Sequence, residues 1–560
     1  MRNLILFYFL CLSTAVFSQN FQWVVGIGGM ESDAANAVAT DAAGNVYIAG
    51  VFSDTVDFDP GPGTVTLIAS SEGIGFIQKL NPDGNLLWVK QITSTNASQC
   101  EFITLDDAGN IYVVGTFKGT ADLDPGAGTT SVSSTGTSAN LYVLKLNNSG
   151  DFVWGKIATG LGIIVPRSLA IDAAGNVFAT GNFEEEADFD PGSGTAVITA
   201  SGLRDGFVLK YDASGAFQWV KQLESTSVIE GKSMALDVSG NLYLTGKFWD
   251  VADFDPGAGT HNLTSAGADD TFLLKLDAAG NFSWVKQFGG TGYEYGWALD
   301  ISPAGNIYIC GNFQETVDFD PGAGVFELTS AGMDDVFVLK LDLSGNLIWV
   351  KGVGGVNPDG SYYLTVDDLE QVYVTGSYSS TVDFDPGPGV TELPLTGANS
   401  AFVLKLDAAG DFQWAKAVAG MAIDLGLGLA VHWSGSLYIV GLFAETADFD
   451  PGPGVANLSA MSFDGYVLKL DVGTVSSTLN PGEVSKLIVY PNPTENVVTV
   501  TGQDLLDSAM TIYDISGRDV THLVPMLQGG NQEMKLDLSR LLSGVYTVKT
   551  KNQTSKIYKQ

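Results

Sequence analysis

The residues in this sequence best suited to chemistry are repeated pairs of carboxylates. A segment Asp-Phe-Asp-Pro-Gly, with Leu123 replacing Phe once, starts at Asp57, Asp122, Asp188, Asp253, Asp318, Asp383 and Asp448. The second acids are Asp59, Asp124, Asp190, Asp255, Asp320, Asp385 and Asp450. Two carboxylates at i and i+2, followed by glycines with free carbonyls, are suited to a hard cation such as Ca²⁺, which takes about 6 to 8 oxygen ligands. Familiar calcium loops add a third acidic or Asn ligand nearby, and here a proline stands in the path. The competing reading is an Asp-Pro-Gly turn capped by Asp side chains. Calcium is therefore optional, and no cofactor is required.

Nucleophilic or metal catalysis needs a constellation that stands out from its surroundings. The three histidines, His261, His432 and His522, sit in no metal-ligand or triad spacing. Cys100 and Cys310 lie three repeats apart and belong to no Cys-x-x-Cys or Cys/His cluster, so they read as small buried hydrophobes. Carboxylate pairs abound, but none is singled out for glycosidase or lyase chemistry. The expectation is no catalytic residue.

The elements that position these groups follow from the repeat. The seven segments are spaced by 65 or 66 residues, which is the mark of a stacked supersecondary unit. Each unit reads as four strands joined by Asp-x-x-Gly turns such as Asp41 to Asn45 and Asp212 to Gly215, with the carboxylate segment in an excursion between the second and third strands. The strands are apolar on both faces, as sheets stacked between sheets require. The last unit lacks its fourth strand, while Asn20 to Val24 matches a fourth strand standing alone. The expected fold is all-β: a seven-bladed β-propeller of four-stranded blades, closed by the N-terminal strand.

Two further series are phased with the repeat. Trp23, Trp88, Trp154, Trp219, Trp284, Trp349 and Trp414 read as one core anchor per unit, with sugar-stacking platforms as the alternative. Lys79, Lys145, Lys210, Lys275, Lys340, Lys405 and Lys469 are expected to pair with repeated carboxylates or cover apolar surface with their stems. The uniform turns share one face of the propeller, and the excursions and unit-specific loops share the other. Candidate ligand contacts on that variable face are Glu184, Glu185, Glu186, Trp249, Asp250, Tyr293, Glu294, Tyr295, Trp297, Tyr362 and Tyr363. Aromatics beside carboxylates suit carbohydrate or protein contacts.

Charge narrows the partners. The chain has 27 basic and 63 acidic residues and a net charge of −36, which excludes a phosphate-backbone partner. Met1 to Ser18 reads as a signal peptide, and no run of apolar residues long enough to span a bilayer follows. Residues 19–473 are assigned to the propeller, 474–486 to a linker, and 487–560 to a separate domain read as a small Ig-like β-sandwich. That last segment is neutral, with 7 basic and 7 acidic residues, whereas 19–486 carries 19 basic and 56 acidic.

Trp284-Val285-Lys286, Gly289-Gly290 and Asp172-Ala173-Ala174-Gly175-Asn176 resemble the SBBP β-propeller repeat of bacterial exported proteins. Ser302 and His432 depart from its first-turn Asp, and Glu370-Gln371 replaces its Gly-Asn. Tyr490-Pro491-Asn492-Pro493, then Gly517-Arg518, then Gly544-Val545-Tyr546 resemble the type A sorting domain of the type IX secretion system of Bacteroidota. That resemblance implies recognition of residues 487–560 by the secretion machinery and a cell-surface or extracellular location. The resulting expectation is a monomeric, non-enzymatic binding or adhesion module for an extracellular polysaccharide or protein, with no nucleic-acid partner. The alternatives are a secreted polysaccharide-active enzyme using carboxylates on the variable face, and a structural surface protein with calcium-binding repeats.

Overall fold

In the computed structural model, the described residues are 20–473, apart from 70, 71, 193 and 394, together with parts of 488–559. The signal peptide, the linker, Pro491, Asn492, Pro493, Gly517, Arg518 and His522 lie outside them. Two units are distinguished, Met1–Val475 and Ser476–Gln560. All regular elements of the described residues are strands, in a β-propeller arrangement.

The first repeat shows the plan. Ala34–Thr40, Val46–Phe52, Ile74–Leu80 and Leu86–Ile92 pair in that order, all antiparallel. Between the second and third strands the excursion folds into a short hairpin, Thr55–Asp57 against Thr66–Ile68. Asn20–Ile27 pairs antiparallel with Asn457–Asp471, so the first strand completes the last repeat.

The expectation of seven separate blades is corrected: hydrogen bonding gathers the repeats into five large sheets, two of eight strands, one of six and two of four. At two junctions the second strand runs unbroken into its excursion, as Leu242–Asp253 and as Ser436–Asp448. The last strand of the preceding repeat then pairs with that extension, Glu224 with Asp253 and Ala419 with Asp448, and fuses two repeats. Elsewhere the excursion is a separate short strand, or in the sixth repeat only isolated bridges of Asp383 to Gly354 and Glu392, and Phe152–Gly160 gains only the short hairpin of the next repeat.

Packing explains the phased residues. The Phe of the carboxylate segment is fully buried between two rings of its own repeat, as Phe58 is against Phe52 and Phe76 at 5.3 and 5.0 Å. Phase-matched tryptophans reach the next repeat: the indole N–H of Trp23 donates to the Pro82 carbonyl at 3.1 Å, and that of Trp349 to Ala408 at 3.1 Å. The phased lysines lie over the aromatic ring of the preceding strand, Lys79 over Tyr47 at 4.6 Å and Lys275 over Tyr243 at 4.8 Å. Among the described residues, only Lys79 and Lys340 of the seven also form ion pairs, with Asp41 and Glu370. Cys100 and Cys310 are buried free thiols.

In the C-terminal unit, Ile488–Tyr490, Val497–Thr501, Met526–Gly529 and Glu533–Asp537 form one sheet. A second sheet comprises Thr511–Asp514, Gly544–Lys549 and Thr554–Lys559, with Tyr546 buried.

Candidate ligand site in the central cavity

One position of the repeat is built identically seven times and filled differently each time. Every first strand carries a register shift, so one residue is extruded from the ladder. The extruded residues are Asn36, Glu101, Arg167, Lys232, Trp297, Tyr362 and Leu427. A bulge re-aims the side chain that it releases. All seven line one cavity of about 210 Å³, joined by Phe102, Pro166, Ser168, Ser233 and Tyr363.

The second strand makes room for the bulge with a glycine. At Gly50, Gly115, Gly181, Gly246, Gly311, Gly376 and Gly441 an added Cβ would collide with a carbonyl oxygen of the neighbouring first strand. The Gly that ends the repeated strand motif is thus a close-approach residue, and it belongs to the machinery that presents the cavity side chains.

The cavity lining is half polar and half apolar. Asn36, Glu101, Arg167, Ser168, Lys232 and Ser233 make the polar half, and Phe102, Pro166, Trp297, Tyr362, Tyr363 and Leu427 the apolar one, with Phe102 packed on Tyr363 at 6.3 Å. Burial lowers the Lys232 ammonium to about 8, with the Arg167 charge adding to the effect and Glu230 opposing it. Lys232 lies against Glu230, and its ammonium sits 4.8 Å from the Trp297 ring centroid. Burial pushes Glu230 up, but Lys232, Lys247 and Arg204 outweigh it and hold the carboxyl at about 2. Arg204 joins Glu230 at 3.0 Å to Glu184 at 2.8 Å. Burial raises the Glu101 carboxyl, tempered by Arg167. Arg167 itself makes no hydrogen bond or ion pair of 4.0 Å or less among the described residues, and the indole nitrogen of Trp297 is buried without a hydrogen-bond partner.

An aromatic series leads out of the cavity. Trp297 packs on Tyr362 at 6.0 Å and on Tyr295 at 6.2 Å, and Tyr295 stacks on Tyr293 at 6.3 Å. Tyr293 is 45% exposed. Tyr293 lies just ahead of the strand Tyr295–Ile301, and Trp297 is the residue that its bulge extrudes.

Of the predicted ligand residues, Trp297, Tyr362 and Tyr363 line this cavity, Tyr293 and Tyr295 extend from it, and Glu184 adjoins it through Arg204. Glu185 and Asp250 instead occupy the left-handed turn that opens the excursion, at φ 56° and 69°, where the second repeat has Gly119. Glu186 is exposed on the short excursion strand, and Trp249 is 48% exposed. Glu294 points inward, accepts the Gly290 N–H at 2.9 Å and is pushed up to about 8, chiefly by burial.

The paired acids of the excursions act in turns. Asp57 accepts the N–H groups of Asp59 and Val65 at 3.1 and 2.8 Å, and Asp59 accepts that of Gly61 at 2.8 Å. The same pattern recurs from Asp122 and Asp124 to Asp448 and Asp450, except that in the third repeat the Gly192 N–H donates to the Asp190 main-chain carbonyl at 2.8 Å. Among the described residues no group of three or more His, Cys, Asp or Glu side chains is placed to hold a metal ion.

Five of the seven extruded residues escape a reading by loop composition: Asn36, Glu101, Arg167, Lys232 and Leu427. Two signals point to them. They recur at the repeat spacing yet differ in every repeat, and Arg167 and Arg204 are the only arginines between residues 19 and 486.

Residues 488–560 match the family described as the secretion system C-terminal sorting domain, and residues 218–247 match the β-propeller repeat SBBP. The chain therefore carries a propeller repeat of the SBBP type and a type IX sorting domain, which directs export to the cell surface or beyond it. No helix among the described residues is long and apolar enough to cross a membrane. The chain is 25% identical over 540 residues to the uncharacterized WD repeat-containing protein L264 of Acanthamoeba polyphaga mimivirus, covering 82% of this chain and 39% of that protein. It is 27% identical over 127 residues to the regulatory protein FlaEY of Caulobacter vibrioides, covering 22% of this chain and 13% of that one. The chain thus spans well under half the length of these curated relatives. Among solved structures, polysaccharide lyase Uly1 overlaps with a TM-score of 0.38 at 9% identity, covering 81% of this chain and 100% of that one.

Proposed function

We propose that this exported propeller is a non-enzymatic binding module that takes an extracellular polymer or protein at the central cavity. The observation that supports this reading is the extruded position: seven equivalent bulges, seven different side chains and one shared cavity. A purely structural repeat has no use for seven different residues at its most uniformly built point. The excursions belong to the scaffold in this reading, as turns rather than calcium sites.

The test is a thermal-shift screen of the full chain against soluble polysaccharides, with parallel arms in EDTA and in calcium. A ligand at about 100 times its Kd adds roughly 2.7 kcal/mol to the folded state. The expected result is a shift that is lost in Trp297→Ala and Tyr362→Ala, with no difference between EDTA and calcium. A shift that survives both substitutions would move binding elsewhere. New reducing ends in the incubated polymer would make the protein an enzyme. A calcium-dependent shift removed by substituting Asp57 and Asp59 would restore the metal reading of the excursions.

A further inference from the structure

Resting on that binding reading, we infer that the cavity takes a single acidic sugar ring, its carboxylate on Arg167 and Lys232 and its apolar face on Trp297. The argument begins with Arg167. An arginine without an ion pair or hydrogen bond is unexpected where 56 acids outnumber 19 bases between residues 19 and 486. Every other cation at this site is occupied: Lys232 by Glu230, Arg204 by Glu184 and Glu230, and Lys247 by Asp269 at 3.3 Å. A planar guanidinium that keeps its donors free is matched to a planar oxyanion, which it binds through two parallel N–H bonds.

The rest of the cavity selects what carries the anion. A simple anion would leave the aromatic half unused. A neutral apolar ligand would leave Arg167 unpaired and bury Glu101 against nothing that bonds it, whereas the Asn36 amide already donates to the Cys100 carbonyl at 3.0 Å. A pyranose ring with one carboxylate satisfies both halves. Its C–H face packs on an indole, its hydroxyls bond Glu101 and Asn36, and its carboxylate meets Arg167 and Lys232. The charged groups facing such a ligand are Arg167, Lys232 and Glu101, with Glu230 behind Lys232. Burial raises the Glu101 carboxyl against the opposing charge of Arg167.

Volume sets the length. At about 210 Å³ the cavity is smaller than the roughly 300–1,000 Å³ of sites that enclose drug-sized ligands, so it holds one ring and not a run of them. The stacked Tyr295 and Tyr293 give the next ring a platform toward solvent.

The experiment is calorimetric titration of the full chain with D-glucuronate, D-galacturonate, D-mannuronate and L-guluronate. Each is compared with its neutral hexose, and acetate is the anion without a ring. At least one uronate is expected to bind at least tenfold more tightly than its neutral hexose, while acetate shows no heat. Arg167→Gln, which removes a guanidinium that makes no hydrogen bond to the described residues, is expected to erase that preference while leaving binding of the neutral hexose in place. Trp297→Phe should weaken the uronate and the hexose alike. Equal affinity for uronate and hexose, both lost in Trp297→Ala, would overturn the acidic-sugar inference and leave the cavity as a binding site. Binding by acetate equal to that of the uronates would make it an anion site only. No heat from any uronate, with polymer binding insensitive to Trp297→Ala, would overturn both readings.

Discussion

The two ends of the repeat place carboxylates in opposite states. At the Asp-x-x-Gly turns, Asp41 accepts two backbone N–H groups, the Asn45 amide and the Tyr47 hydroxyl, all within 3.0 Å. Burial works against its ionisation, but these bonds and Lys79 prevail and hold its carboxyl below the ordinary range. Asp106 and Asp237 follow suit, whereas in the sixth repeat burial outweighs the same kind of donors and raises Asp367. At the loop end, Asp33, Glu294, Asp359 and Asp424 stand at the entrance to the first strands, each buried and accepting only one or two N–H groups. Burial pushes them up to about 6, 8, 7 and 7. The same residue class is saturated with donors where the repeat is uniform, and under-supplied near the end where it varies. A saturated end fixes register; the other end keeps unspent polar groups, and there the cavity lies.

The bulge connects the two ends, and breaking it should have the largest effect. Gly246→Ala places a methyl group against the Glu230 carbonyl in the strand that carries Lys232. The ladder must shift or lose its bulge, at a cost of roughly 3 kcal/mol, the upper part of the usual overpacking range. Thermal melting of the variant should show this loss together with loss of ligand-induced stabilisation. A melting temperature equal to that of the parent would mean that the bulge does not depend on the glycine.

The next effect in size is pH-dependent, and it sharpens the contrast between the ends. A carboxyl whose pKa is higher folded than unfolded binds more protons when folded, so stability increases as pH falls through the folded value toward the unfolded one. For Asp33, Glu294, Asp359 and Asp424 the window runs from about 8 down to the ordinary 3.8–4.5. Asp41, Asp106 and Asp237 have depressed values, so their contribution is kept throughout that window and lost only below it. The melting temperature should therefore increase from pH 8 to about pH 5 and decrease in stronger acid. Replacing Glu294 with Gln should flatten the rise while leaving the acid limb in place. A stability maximum at neutral pH would remove the contrast.

How much of this was legible follows from the same division. The scaffold is written as repetition: Asp, Gly and Asn in most first turns, Gly where strands approach closely, and Phe in all but one excursion, where Leu123 stands. One chain therefore supplies several readings of each requirement. The sheet count is not written that way, because fusion depends on whether a strand such as Leu242–Asp253 continues through its excursion, and no repeated residue marks that continuation. The cavity was half legible. Trp297 and Tyr362 drew notice as aromatics in unit-specific stretches, whereas Asn36 and Leu427 have no chemistry that announces a site. They become visible only as a column of unlike residues at constant spacing. Glu185 and Asp250 misled because a left-handed turn uses the same polar residues that a ligand would.

The smallest effect concerns a place where the uniform end breaks its own rule. Ser302 lacks the carboxylate of the other turns, and Glu370 stands where a turn glycine belongs, at φ 59°. The structure joins these departures: the Glu370 carboxylate accepts the Ser302 hydroxyl at 2.7 Å, the Asn306 amide at 2.6 Å and the Lys340 ammonium at 3.1 Å. One repeat thus borrows from its neighbour the acid that its own turn has lost. Glu370→Gly relieves a left-handed glutamate, worth about 1 kcal/mol, but removes those bonds, so it should destabilise slightly. Ser302→Asp alone sets a second carboxylate beside Glu370 and should also destabilise. Together they recreate the turn of the first repeat, in which the introduced carboxylate is able to accept the Asn306 amide and the Tyr308 hydroxyl as Asp41 accepts those of Asn45 and Tyr47. Melting of the parent, both single variants and the double variant should give a favourable coupling of about 1–2 kcal/mol. Simple additivity would mean that the two departures arose independently and that the uniform end tolerates gaps without compensation.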